Sequence, residues 1–178
     1  MPAVDPDRNL LVAAQEGSLS AFEELVRSHQ APVYRIALRM LGSAADAEDV
    51  AQEAFLQAWR SLSRFRGDST FDTWLYRIVT NRALNLLKSR RRTTPLAEIE
   101  IESRDEPATV VAQRERMRAI VGALKSIEPE QRALIVLREL EGLPYAKIGE
   151  VLGLNPSLVK GRLHRARLAL VTAVGEPE

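Results

Sequence analysis

Cysteine is absent from the 178-residue chain. Disulfides and thiolate-held zinc are therefore excluded, and a reducing compartment is allowed. His29 and His164 are the only histidines, too few for a histidine-rich metal site. No metal and no cofactor is expected. Aromatics make up only 5% of the chain, with nine glycines and nine prolines, which favours helices over a sandwich or barrel. Long apolar runs are missing as well. None is long enough to span a bilayer, and the polar N-terminus lacks the apolar segment of a signal peptide. The expectation is a cytoplasmic chain with no membrane insertion.

Net charge is nearly absent too, at +1, but its distribution is uneven. Between Asp72 and Glu98 no acid occurs, while Arg77, Arg82, Lys88, Arg90, Arg91 and Arg92 do. Between Glu150 and Glu176 no acid occurs, while Lys160, Arg162, Arg165 and Arg167 do. Phosphate neutralisation needs local rather than global positive charge. One basic run reads equally well as a solvated helix face. Two runs, each ending an apolar-periodic helix, point towards nucleic acid.

The rest is an ordinary globular composition, 46% hydrophobic and 28% charged. From Leu10 to about Arg92 the pattern is helical. Ser20 is a candidate cap for a helix carrying Phe22, Leu25 and Val26, and Val33, Ile36, Ala37 and Met40 continue its period to Gly42. A third helix spans roughly 45–62. Ser69 and Asp72 have capping-box spacing before a long helix that ends in the arginine run. From Thr93 to about Arg114 the chain turns acidic, with Glu98, Glu100, Glu102, Asp105 and Glu106 between Pro95 and Pro107. This reads as a flexible linker, mostly extended or disordered. Packing resumes with Ile120, Leu124 and Ile127, and Glu128-Pro129-Glu130 opens a further helix. The expected fold is all-α: two small helical domains, 1–92 and 118–178, joined by a linker over 93–117.

The C-terminal domain carries the clearest motif. Pro144 is placed to begin a short helix with Ile148, Val151 and Leu152 as its buried stripe. Gly153-Leu154-Asn155 forms the turn. Asn155 caps the next helix, with Pro156 at its first position. Val159, Leu163, Ala166 and Leu170 share one side at 100° per residue. Lys160, Gly161, His164 and Arg165 then point outward, with Arg162 and Arg167 at the edges, placed for phosphates. This is a helix-turn-helix whose second helix offers donors to base edges in the major groove. The plain alternative is a helical hairpin whose basic face only meets water.

In the N-terminal domain, Val50, Ala51, Ala54, Phe55, Ala58 and Trp59 share one face of the third helix. Asp49, Gln52, Glu53, Leu56 and Arg60 share the other. Helical spacing alone reads the second face as solvated; a docking face for a partner's helix is the alternative. On the next helix Phe71, Leu75, Ile78, Val79 and Leu86 form a buried stripe. Tyr76, Arg77, Thr80, Asn81, Leu84 and Lys88 lie on the opposite arc, a set suited to single-stranded or distorted nucleic acid. The adjoining loop, with Gly67 and Asp68, could grip an extruded base or be an ordinary interhelical turn.

Three stretches together resemble the extracytoplasmic-function (group IV) sigma factors of the bacterial sigma-70 family. DAEDVAQEAFLQAW (46–59) is similar to their polymerase-binding segment. FRGDSTFDTWLYRI (65–78), followed by Asn81, is similar to their promoter-melting and −10-reading segment. YAKIGEVLGL (145–154) with VKGRLHRAR (159–167) is similar to their −35-reading helix-turn-helix. The resemblance implies a dissociable, non-catalytic specificity subunit that binds core RNA polymerase, directs it to promoters and helps open the −10 region. Asp49, Gln52, Glu53 and Leu56 would dock on the clamp helices of the largest polymerase subunit, in place of the solvated reading. Phe65, Arg66, Gly67, Asp68, Tyr76, Asn81 and Asn85 would hold the unwound non-template strand, with Arg77, Arg82, Lys88 and the run Arg90, Arg91 and Arg92 on its backbone. Lys160, Gly161, Arg162, His164, Arg165 and Arg167 would serve the −35 duplex. The resemblance also implies an anti-sigma partner covering these faces.

The chain departs from the family pattern where Ser157-Leu158 replaces a common Gly-Thr pair and Gly161 replaces a common serine, so the family's base preference need not carry over and no promoter sequence follows. Two rival functions remain at this level. A free-standing helix-turn-helix regulator would leave the 46–59 face unexplained. A nucleic-acid enzyme would need clustered carboxylates for metals, and Asp46, Glu48 and Asp49 stand at a helix start, where acids suit the dipole anyway.

Overall fold

The computed structural model describes residues 5–93 and 108–175. These are helical throughout, with no strand among them. The N-terminal domain comprises α1 (Arg8–Gln15), α2 (Leu19–Leu41), α3 (Ala44–Ser61) with a 3₁₀ turn at Leu62–Arg64, and α4 (Phe71–Thr93). Its core is built from Leu25, Val33, Ile36 and Met40 of α2 and Phe71, Leu75 and Val79 of α4, all fully buried. Small residues of α3, namely Ala47, Ala54 and Ala58, let that helix lie close against them.

Local chemistry sets the ends of these helices. The Ser18 side chain accepts from Ala21 N at the start of α2; Ser20, the expected cap, stands inside the helix. Ser43 caps α3 by accepting from Asp46 N at 3.3 Å. Gly42 closes α2 in the left-handed region at φ +69°. Pro32 sits inside α2 without ending it, because buried side chains on both sides of it hold the helix to the core. The expected Ser69–Asp72 box is not what opens α4. Asp5 accepts from Phe71 N at 2.8 Å, the Thr70 hydroxyl donates to Asp72 at 2.5 Å, and Asp72 also accepts from Thr73 N at 2.7 Å.

The C-terminal domain comprises α5 (Ala108–Lys125), α6 (Pro129–Ile135) running into a π-helical stretch (Val136–Leu140), α7 (Tyr145–Leu152) and α8 (Pro156–Gly175). Helix α5 corrects the sequence reading, which placed residues up to 117 in the linker. Its Leu124 is buried in the shared core and its Val121 beside Gly42 at the end of α2, so ordinary helix formers there are held by packing. The acidic stretch with Glu98 to Glu106 lies outside the described residues. Pro144 is the cap of α7 rather than its first residue.

The two domains pack on one another, and the buried side chains form one continuous cluster. Arg132 of α6, 5% exposed, donates to Met40 O at 2.6 Å and Lys125 O at 3.3 Å. It thereby satisfies one carbonyl near the C-terminal end of α2 and one at the end of α5, where the helix dipole favours a cation. Glu141, after the π stretch, binds Arg39 at 2.5 Å and Arg35 at 3.2 Å, and its side chain is only 6% exposed. Asp72 meets Lys147 of α7 at 2.5 Å, Lys88 meets Glu130 at 2.7 Å, and Arg91 pairs with Glu128.

Candidate nucleic-acid interface

Helix α8 presents the arrangement its spacing predicts. Val159, Leu163 and Ala166 are fully buried against the domain core, while Lys160, Gly161, Arg162, His164, Arg165 and Arg167 are exposed. Asn155 Oδ1 accepts from Ser157 N at 3.1 Å and from the Ser157 hydroxyl at 3.0 Å, fixing the first turn. The preceding turn is tight. Gly153 ends α7 at φ +66°, and a Cβ on Gly149 would stand 2.6 Å from Leu154 O. Around Gly161, by contrast, a Cβ would meet nothing within 4 Å, so the backbone there is open to a groove. Arg167 bends back to Glu139 on the π stretch, while Lys160, Arg162, His164 and Arg165 stay exposed beyond the first turn.

The α4 face is only partly as expected. Asn81, Asn85, Lys88 and Arg77 are exposed. Tyr76 and Thr80 are not on an open arc: they are 8% and 0% exposed, because α7 lies over this side of α4. Lys147 Nζ stands 5.6 Å from the Tyr76 ring centroid, within cation–π range. Burial, with the nearby Asp72 and Glu141 charges, pushes the Tyr76 hydroxyl up to about 12. Arg82 is half-buried and turned towards α3, donating to Gln57 at 2.8 Å and Glu53 at 2.6 Å. A residue expected on DNA and one expected on a protein partner thus hold each other.

The loop before α4 is built on an aromatic platform. Phe65 is half-buried, its ring 4.9 Å from Trp74 and 6.3 Å from Phe71. Gln15 Nε2 donates to Leu62 O and Phe65 O, both at 3.0 Å. Arg66, Gly67 and Asp68 project into solvent, with Gly67 at φ +76°. No local motif announces Gln15 as a loop support; only its contacts with Leu62 and Phe65, the latter 50 residues away in sequence, show it. Behind the loop, α3 exposes Asp49, Gln52, Glu53 and Leu56, the last at 49%. Trp59, assigned by periodicity to the buried face, is 36% exposed, its ring 4.8 Å from Phe22.

Between the domains runs a cleft of about 480 Å³. It is lined by Asn81, Leu84 and Lys88 of α4, by Glu130 and Leu134 of α6, by Leu152 and Leu154, and by Arg162 and Arg165 of α8. Sequence reasoning kept the α4 and α8 sets on separate domains; the tertiary fold turns them towards each other. Among the described residues no cluster of His, Asp or Glu could hold a metal ion, and no helix is long and apolar enough to cross a membrane.

Two packed helical domains, one ending in a helix-turn-helix with a basic outer helix, define a protein of the helix-turn-helix DNA-binding class. The family comparisons make that specific. Residues 25–93 match the model for sigma-70 region 2, and residues 117–170 the model for sigma-70 region 4. The chain is 34% identical over 182 residues to the RNA polymerase sigma-H factor of Pseudomonas aeruginosa, covering 96% of this chain and 94% of that one. It is 35% identical over 176 residues to the ECF RNA polymerase sigma-E factor of Escherichia coli K12, covering 92% of each. Among solved structures, CnrH in complex with the cytosolic domain of CnrY superposes with a TM-score of 0.74 at 28% identity, covering 96% of this chain and 98% of that one. The chain belongs to the extracytoplasmic-function sigma factors of the sigma-70 family. It is a transcription-initiation factor whose partners are core RNA polymerase and promoter DNA.

Proposed function

We propose that the residues divide among three tasks. The exposed α3 face, Asp49, Gln52, Glu53 and Leu56, docks on the clamp helices of the polymerase. The loop of Phe65 to Asp68, with Tyr76, Asn81 and Asn85, takes up the melted −10 strand, while Arg77, Arg82 and Lys88 neutralise its backbone. Helix α8 reads the −35 duplex with Lys160, Gly161, His164 and Arg165, while Arg162 and Arg167 serve phosphates. The observation that carries this reading is the capped α8, buried along Val159, Leu163 and Ala166 and basic on its outer side. The chain makes no phosphodiester bonds; the polymerase does. Its binding energy goes into holding two readers on one promoter and trapping open DNA. The site of action is the cytoplasm, where core polymerase and the chromosome are.

An anti-sigma partner belongs to the same proposal. CnrH was solved with a second protein bound, and the cleft between the two domains here, lined by leucines and by Lys88, Arg162 and Arg165, offers a comparable partner the −10 and −35 readers together.

Run-off transcription with core polymerase over a pooled promoter library tests the function. Enrichment of templates sharing two separated elements is expected, together with co-purification of the chain with core polymerase. Specific duplex binding that core polymerase neither joins nor enhances would instead favour a free-standing helix-turn-helix regulator.

A further inference from the structure

The outward face of α8 contains one apolar side chain in its first turn. Leu158 is 50% exposed, although its helix has a full buried stripe of its own. At 100° per residue it falls on the arc of Gly161 and Arg165, about 100° from Val159. Gly161, one turn on, has no side chain and open space around it, so nothing screens Leu158 from a groove the helix enters. Asn155 holds the first turn rigid through Ser157, and recognition helices meet base edges with their N-terminal residues. The other outward candidates, Lys160, His164 and Arg165, are hydrogen-bonding or charged groups. An apolar group in this position has one distinctive target among base edges, the 5-methyl of thymine.

We propose that Leu158 is a specificity-determining residue that reads a thymine methyl group in the −35 element. The proposal rests on α8 being the −35 reader. Its test uses holoenzyme and the upstream element that the promoter library selects. Each thymine of that element, on either strand, is replaced singly by deoxyuridine, which removes only the methyl group. At one position the unmodified protein is expected to lose roughly fourfold in promoter affinity, the worth of one buried methyl. Leu158→Ala should lose affinity for the thymine promoter and no longer distinguish thymine from uracil there. Circular dichroism should show it folded, since the side chain is half exposed. Indifference of the unmodified protein to every replacement, retained discrimination in Leu158→Ala, or a selected element without an A·T pair would overturn the proposal. Selection of no upstream element at all would instead overturn the −35 reading itself.

Discussion

At the scale of residues, the side chains with most to lose are those whose partners lie in the other domain. Burial pushes the Arg132 guanidinium down to about 10, so it remains charged at neutral pH with two backbone carbonyls as its partners. Removing it orphans both, and Arg132→Ala should lower stability by about 1–3 kcal/mol in a denaturant titration. The exposed readers behave differently. Asn81→Ala is expected to slow promoter opening more than it weakens duplex binding; equal losses in a permanganate-footprint and gel-shift pair would remove Asn81 from the opening step. Arg165→Ala should flatten discrimination in a −35 mutant series by roughly 1–3 kcal/mol at one position. An unchanged preference would take Arg165 out of the base-reading set.

At the scale of elements, helix ends decide how sharply each reader is aimed. Asn155 alone holds the first turn of α8 through its side chain, so Asn155→Ala should cost about 1 kcal/mol of domain stability and blur −35 selectivity with it. Gly42 has the opposite role, at an end that must stay bare. A Cβ there would enter a left-handed residue and stand 2.6 Å from Lys125 Cε and 2.7 Å from Val121 Cγ1. Gly42→Ala should therefore destabilise the protein by about 1–2 kcal/mol from the backbone alone, and more where the α5 contact cannot relax. A melting curve of Gly17→Ala is the control: its φ is +99° but no atom lies within 4 Å, so the difference isolates the docking term.

At the scale of the whole molecule, the domain interface sets several ion pairs beside its shared apolar cluster, and through them it depends on pH. Burial acts to raise the Asp72 carboxyl, but the Lys147 and Thr70 hydrogen bonds outweigh it and hold it below its ordinary value. The Lys88 hydrogen bond likewise lowers Glu130. Both groups are depressed in the packed state. The stabilisation they give is therefore complete above the usual carboxylate range and is lost as pH falls through their lowered values. Acidification below about pH 4 should separate the domains, read as a rise in interdomain distance by fluorescence transfer. Asp72→Asn should shrink that acid response; a response unchanged by the substitution would place the dependence elsewhere.

The helix-turn-helix, the capped and basic α8, the α3 face and the all-helical architecture are set by short-range regularities: periodicity, caps, turn glycines and runs of one charge. These operate within a few residues, so the sequence alone determined them, and the likeness to known sigma factors rests on the same local stretches. What only the tertiary structure decided is where the domains lie relative to each other. Tyr76 and Thr80 follow the same period as Asn81 on α4, yet they are buried because α7 covers that side. Arg82 carries the charge of a phosphate contact, yet it faces Glu53 and Gln57. Residues 108–117 are helical because the helix they begin packs into a core further along the chain. Each of these outcomes depends on partners tens of residues away, and no local pattern encodes which face a distant domain will cover.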